Sequence, residues 1–195
     1  MIRRVAILGL FLARIAAAQA PASTSQTIAG AVLPLPEHLR AGASVVRVDA
    51  SSHIDTLRHG TNGMTCIADP PNDDRFDVRC YRDTFIPVVY RAFYFKPIDN
   101  RALAAEIKSG KFKLSPEPTA GYRCEGPISA YDAARNTVSA EMECWQSVHF
   151  PFKTAAEVGF PEEADVPEAL QKEIPYVMTS GSFWSHVMIR HPDHK

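Results

Sequence analysis

The stretch LRHGTNGMTCIADPPNDDRFDVRC, residues 57–80, combines a turn signal, two cysteines and an acidic loop. Its Gly60-Thr61-Asn62-Gly63 segment contains Asn-Gly, a pair that accepts positive φ at little cost and therefore predicts a tight reversal. Segments rich in β-branched or alternating residues lie on either side of this reversal and upstream of it. We expect a three-stranded antiparallel meander over residues 43–49, 53–59 and 64–68.

The first eighteen residues have the pattern of an export signal. The pattern comprises a positive start, an apolar run and a small-residue cleavage site: Arg3 with Arg4, residues 5–13, and residues 16–18. Cleavage after Ala20 also fits, but it would leave Pro21 at the new N-terminus, so we favour the cut after Ala18. The apolar run is shorter than the roughly 20 residues that span a bilayer. We expect a periplasmic or secreted protein with no transmembrane segment in the mature chain.

The charge balance bears on the partners. Removing residues 1–18 takes away three arginines and no acid, so 21 basic residues fall to 18 against 22 acidic ones, a net charge of −4 with neutral histidines. Such a chain, without a basic stripe, argues against nucleic acid as a partner. An envelope component or a small-molecule ligand is compatible with it. The 46% hydrophobic and 22% charged fractions are ordinary for a globular chain.

Four cysteines in an exported chain indicate two disulfides, because the compartment is oxidising and the count is even. Sequence alone permits three connectivities. We favour Cys66–Cys80 and Cys124–Cys144, since each pair brackets a turn-rich segment and could face its partner across a hairpin. Free buried thiols are the alternative if the chain is not exported. The cysteine spacings match no redox, haem or zinc motif, and we expect no cofactor.

Two blocks of the chain carry a resemblance. LRHGTNGMTC (57–66), followed by a second cysteine, and PYVMTSGSFWSHVMI (175–189) are similar to a family of uncharacterised exported bacterial proteins. Members of that family have tryptophan where this chain has Met64, and their middle region differs, so the second cysteine pair lies outside the resemblance. The resemblance implies export, the first disulfide and a shared fold. It carries no catalytic residue to this chain.

The remaining segments predict an α+β fold. Residues 82–95 have apolar positions at both strand and helix spacing, and we favour a buried helix capped by Asp83. A second helix begins at Asp99 or Asn100, and a third over 165–174 follows the capping box of Asp165 and Glu168. Further strands are expected at 121–130, 137–150, 176–179 and 185–190. The prediction is a signal peptide (1–18), a flexible lead-in (19–33), a single α+β domain of antiparallel meander and hairpins with about three helices (34–190), and a frayed tail (191–195).

Two sets of residues are candidates for metal binding. Oxygen ligands suited to Ca²⁺ crowd the loop between the first two cysteines: Asp69, Asn72, Asp73, Asp74 and Asp77. Their spacing matches no calcium loop, and arginines lie among them, so ordinary turn residues are the favoured interpretation. The second set is His186, His191 and His194, two of which belong to the predicted frayed tail. No metal is expected.

Candidates for catalysis and ligand binding lie elsewhere. His53, Asp55 and His59 alternate along a predicted strand and share one face with suitable groups for acid–base chemistry, to which His186 could be added. No nucleophile or metal motif accompanies them. Phe183 and Trp184 lie in a predicted turn where both cannot easily be buried, so they are candidates for ligand stacking.

These observations favour a binding or envelope-associated module without enzymatic activity. The hypothesis depends on the lack of a catalytic constellation together with the aromatic pair placed in a turn. The alternative, from a different class, is a small extracytoplasmic hydrolase or metal-dependent enzyme that uses the histidine and aspartate cluster. Convergence of those histidines in one pocket would favour the enzyme, and their dispersal over the surface would count against it.

Overall fold

Alternating apolar segments form most of the regular structure. The computed structural model describes residues 22–70, 73–95 and 99–190. Within them the strands are β1 (Ser44–Val48), β2 (Ile54–Arg58), β3 (Met64–Ile67), β4 (Arg75–Arg82), β5 (Thr119–Pro127), β6 (Tyr131–Asp132), β7 (Thr137–Val138), β8 (Glu143–His149), β9 (Tyr176–Met178) and β10 (His186–Arg190). The α-helices are α1 (Thr24–Ala31), α2 (Glu37–Arg40), α3 (Ile86–Val89), α4 (Asn100–Lys108) and α5 (Ala155–Val158), with a π-helix over Tyr90–Tyr94.

Eight strands join in one sheet in the order β2-β1-β3-β4-β5-β8-β10-β9, and β6 and β7 form a separate small hairpin. The three predicted N-terminal strands are present, but the predicted antiparallel meander is wrong. β1 pairs antiparallel with β2 and parallel with β3, so it lies between them. Residues 60–63 therefore cross the end of β1. They pass so close that a Cβ on Gly60 would collide with the backbone of Ala43 and Ser44.

Both predicted disulfides are confirmed, and they lie on one face of the sheet. Cys66 is the register partner of Cys80, and Cys124 is the register partner of Cys144. We call this side the disulfide face. Helix α1 covers part of it, where the sequence predicted a flexible lead-in. That prediction is wrong for the described part of residues 19–33, because a capping box at Ser23 starts the helix and its C-terminal end is buried against the first disulfide.

The opposite face of the sheet is covered by the helical segment predicted over residues 82–95. Phe85, Val88 and Val89 are buried there as expected, although the segment is a short α-helix that continues as a π-helix. Asp83 does not cap it and instead accepts a hydrogen bond from Thr65 Oγ1 (2.6 Å). The helix predicted after it is confirmed as α4, which Asp99 caps.

The predicted helix over 165–174 is absent from its place in the described chain. Two single 3₁₀ turns, Glu163–Asp165 and Glu168–Leu170, occupy the segment. Pro167 precedes the second turn and lacks the N–H that a continuous helix would use. The expected apolar stripe also has little to pack against, since Leu170 and Ile174 are 38% and 39% exposed. A capping box forms instead at Thr154 and Glu157, where it starts α5.

The described residues thus combine helices with a large mixed sheet and two disulfides in a single body, in which the sheet dominates. The hairpin predicted around residues 121–150 is confirmed as β5 and β8, with β6 and β7 near its tip. The closing strands β9 and β10 are also confirmed. None of the helices in the described ranges has the length and apolar character of a membrane span.

Candidate functional site

A groove of about 340 Å³ opens between α4 and the turns that follow β8 and β9. Four aromatic side chains line it: Phe93, Phe152, Phe183 and Trp184. We call it the aromatic groove. Predominantly apolar concavities with a few polar groups are the usual form of small-molecule sites. The groove contains both residues that the sequence suggested for ligand stacking.

The π-helix presents Phe93 to the groove. A π-helical turn holds more residues than an α-helical one, and such turns are frequent at functional sites. Phe93 is 47% exposed, packs edge-on against Trp184 (5.2 Å between ring centroids) and lies over the guanidinium of Arg79 (4.8 Å). One face of this ring is therefore fixed by a cation–π contact while much of the side chain remains accessible.

Phe183 and Trp184 divide between core and surface. Phe183 is 4% exposed and belongs to the core cluster beneath α3, so it forms part of the groove floor. Trp184 is half-buried and packs on Phe85 (5.3 Å) and His149 (5.0 Å). Trp184 is consequently held on its inner side and accessible on its groove side.

Two residues that line the groove have a strained backbone. Phe152 has φ 65° and Thr179 has φ 52°, values in the left-handed region that bulky and β-branched residues rarely adopt. Hydrogen bonds hold them there: the Phe152 N–H donates to the Ser182 carbonyl (2.8 Å), and the Thr179 hydroxyl donates to the Trp184 carbonyl (2.9 Å). Such strain costs about 1–3 kcal/mol per residue and clusters at ligand clamps and active sites.

A network of charged side chains lies beside the groove on β4 and β5. The Asp77 carboxylate accepts hydrogen bonds from Arg79 and from Arg123, the latter through Nε (2.9 Å) and Nη2 (2.7 Å). Glu125 pairs with Arg123 in turn. Burial acts to raise the pKa of Asp77, but the hydrogen bonds and charges of the two arginines hold it below its ordinary value. Arg79, buried under Phe93, connects this network to the groove.

The candidate calcium ligands are dispersed. Asp77 belongs to the arginine network, and Asp69 accepts a hydrogen bond from the Asp77 backbone N–H (2.7 Å). Asp73 accepts one from the Arg75 N–H (3.1 Å), and Asp74 is exposed. Asn72 lies outside the described residues. Across the described ranges, no three histidine, cysteine, aspartate or glutamate side chains are grouped as metal ligands.

The candidate catalytic residues are not brought together either. His53, Asp55 and His59 are exposed at β2, the edge strand, where Asp55 pairs with Arg47 (2.9 Å). His186 is buried on β10, and five strands separate β10 from β2. A register irregularity between β1 and β2 also interrupts the alternation assumed for the histidine face. His191 and His194 lie outside the described residues.

His186 instead stacks on His149, a residue that the sequence reasoning missed. Their ring centroids are 4.8 Å apart, and His149 Nε2 lies 3.2 Å from Ser147 Oγ. The strand alternation of residues 145–149 places Ser147 and His149 on one face, but nothing in the sequence marked these two residues as functional. His149 is 1% exposed and its Nδ1 has no hydrogen-bond partner, while Phe85 and Trp184 cover it. A substrate has no open path to this serine and histidine, so they form a buried support beneath Trp184.

The burial of His149 and His186 predicts that the protein loses stability in acid. Burial lowers the pKa of both His149 and His186, so below about pH 6.5 the unfolded chain binds protons that the native chain resists. Stability therefore falls as the pH drops, at up to about 1.4 kcal/mol per pH unit for each histidine. His149→Phe is expected to make this fall shallower in urea unfolding measured from pH 7.5 to 5.

Two controls accompany this prediction. Asp69 acts with the opposite sign, because burial raises its pKa to about 7 and the native chain gains stability by binding its proton as the pH falls. Asp69→Asn should therefore steepen the loss. Thr56→Phe, which adds the same ring at an exposed position of β2 and alters no titratable group, should leave the slope unchanged. Equal slopes for His149→Phe and the unmodified protein would contradict the prediction.

Comparison of the chain with known proteins adds no assignment to this geometry: no protein-family model, no curated protein and no solved structure matches it.

Proposed function

We propose that this protein is an exported, disulfide-braced binding module that holds a small molecule in the aromatic groove. The observation that carries the proposal is the coincidence of accessible aromatic rings with strained backbone at Phe152 and Thr179. Strain of this kind persists only where the surrounding structure fixes it. Two of the groove-lining turns hold their conformations through hydrogen bonds to each other, which makes the groove a preformed site.

Export is part of the proposal. The pattern of residues 1–18 suggests a signal, and the two disulfides fit an extracytoplasmic compartment. The likeness of residues 57–66 and 175–189 to exported bacterial proteins points the same way. The second of these blocks contributes Thr179, Phe183 and Trp184 to the groove.

A binding role is favoured over hydrolysis by the placement of the ionisable groups. His53 and His59 lie at one edge of the sheet, far along the strand order from His186. The buried pair Ser147 and His149 lies in contact but is closed to substrate. General acid–base chemistry requires the catalytic group to reach the reacting atom, and the groove aromatics offer stacking surfaces instead.

A groove-filling variant tests the proposal. Ala104 lines the groove on α4, whereas Ala105 is exposed and lies outside the lining. Ala104→Trp is expected to abolish ligand binding because its indole fills the concavity, and Ala105→Trp should leave binding intact. The full chain would be screened by thermal shift against fatty acids, alcohols, amines, sugars, peptidoglycan fragments and divalent metals.

In the protein without added tryptophans, binding is read from the fluorescence of Trp184 in a Trp145→Phe background, since these are the two tryptophans of the chain. The two alanine-to-tryptophan variants add a tryptophan of their own and are compared by isothermal titration. A ligand in the groove should change the emission and raise the melting temperature, and the melting temperature should continue to rise as the ligand concentration exceeds its dissociation constant. A screen in which no class binds, or in which Ala104→Trp binds as well as Ala105→Trp, would overturn the proposal.

A further inference from the structure

We infer that the ligand of the aromatic groove is an anionic amphiphile, a small molecule with an apolar body and a carboxylate. This inference rests on the proposed function and adds the chemical class of the ligand. Its basis is the charge of one wall. Arg101 and Lys108 both line the groove, and none of its lining residues is acidic.

Helix α4 puts these two cations on the same side. Asn100, Arg101, Ala104 and Lys108 all line the groove, and the spacing of 100, 104 and 108 is that of one helical face. Within the described residues neither Arg101 nor Lys108 forms an ion pair. Other cations of this region are neutralised, since Glu106 engages Arg91 (3.4 Å) and Lys111 (3.3 Å). The groove wall is therefore the part of α4 with uncompensated positive charge.

The nearest acid along the chain does not cancel that charge. Asp99 precedes α4, but it is absent from the groove lining and accepts a hydrogen bond from the Arg101 backbone N–H (3.0 Å) as the helix cap. A carboxylate at the α4 wall would lie between Arg101 and Lys108, which are two helical turns apart, and would be attracted by both.

The aromatic side chains of the lining select an apolar body. Phe152 is 37% exposed and Phe93 is 47% exposed, so two large rings face solvent when the groove is empty. Covering them gains about 25 cal/mol for each Å² of apolar surface buried. Asn100, Thr179 and Ser182 are the uncharged polar residues of the lining, and they supply orientation without charge. Apolar rings facing a cationic wall are complementary to a carboxylate on a hydrocarbon chain.

Three eight-carbon probes with different headgroups separate charge from shape. Isothermal titration of the full chain at pH 7.5 would compare octanoate, octan-1-ol and octylammonium. Octanoate is expected to bind at least tenfold more tightly than octan-1-ol, and octylammonium more weakly than either. Raising the salt concentration should weaken octanoate binding and leave octan-1-ol unaffected, because ions screen the exposed cations.

Variants then locate the effect. Arg101→Ala and Lys108→Ala are each expected to weaken octanoate about fivefold without changing octan-1-ol, whereas Lys113→Ala, an exposed cation outside the lining, should change neither. If Lys108 only stabilised the C-terminus of α4, Lys108→Ala would lower the melting temperature but leave the preference for octanoate over octan-1-ol intact. Equal affinity for octanoate and octan-1-ol would overturn the inference and leave the proposed function standing. Octanoate binding that survives Ala104→Trp would overturn the proposed function.

Discussion

Replacing Asp77 with alanine is expected to lower the free energy of unfolding by about 3 kcal/mol, because it leaves two arginines without their shared carboxylate. Asp77 accepts hydrogen bonds from both Arg79 and Arg123, and Arg79 is buried beneath Phe93. Removing one partner of a buried pair leaves the other charge desolvated. The side chain of Asp77 keeps 24% exposure, which places the expected loss at the lower end of the usual range.

The matched control is Asp55→Ala, which breaks an exposed aspartate–arginine pair on the same sheet. Arg47 and Asp55 lie 2.9 Å apart with side chains 41% and 50% exposed. Surface pairs contribute about 0–1 kcal/mol, so this variant should unfold nearly as the unmodified protein does in urea. A loss from Asp77→Ala as small as that from Asp55→Ala would contradict the expected role of the network.

A second consequence of Asp77→Ala concerns the groove. Without its carboxylate partner Arg79 is repelled by Arg123 and free to turn toward solvent, and the cation–π contact that fixes Phe93 is weakened. Ligand affinity in the groove should therefore fall along with stability. Arg79→Lys, which keeps the charge but not the planar fork, should weaken binding less than it weakens stability.

Local signals explain which elements the sequence could predict. The disulfides could be predicted because the cysteines of each pair lie at matching positions around a turn. The start of α4 could be predicted because the Asp99 side chain alone caps the helix. The order of β1, β2 and β3 could not be predicted in this way. Asn-Gly indicates that the chain reverses, but whether β3 then pairs with β2 or with β1 depends on contacts with the rest of the sheet.

The candidate site was predictable only in part for the same reason. Phe183 and Trp184 drew attention because large rings in a turn need a partner or a ligand. Phe93 and Arg101 join them from another part of the chain, and nothing local in sequence indicates that meeting. His53 and His186 show the opposite case. The sequence suggested them together for acid–base chemistry, but the fold places them at distant strands of the sheet. Residues 57–66 and 175–189 likewise belong to strands that do not pair with each other.

Replacing both Cys66 and Cys80 with alanine is expected to cost about 3 kcal/mol or more of stability. The bond closes a loop with a sequence separation of 14, and loops of this size are stabilised by about 3 kcal/mol in the chain-entropy account. Both cysteines are fully buried, and Sγ of Cys80 lies 3.4 Å from the carbonyl oxygen of Ala31 in α1. Loss of the two sulfurs therefore also removes packing atoms beneath that helix.

The second disulfide provides the comparison that separates these contributions. Cys124–Cys144 has a separation of 20, so loop entropy alone makes its removal costlier by about 0.3 kcal/mol. Packing predicts the reverse order, because Cys144 keeps some exposure and Cys66 and Cys80 have none. We expect the packing term to prevail, with Cys66→Ala/Cys80→Ala the less stable variant in urea and α1 more rapidly exchanged in amide hydrogen exchange. The opposite result would be a less stable Cys124→Ala/Cys144→Ala variant, together with unchanged amide exchange of α1 in Cys66→Ala/Cys80→Ala. The disulfide beneath α1 would then act through loop entropy alone.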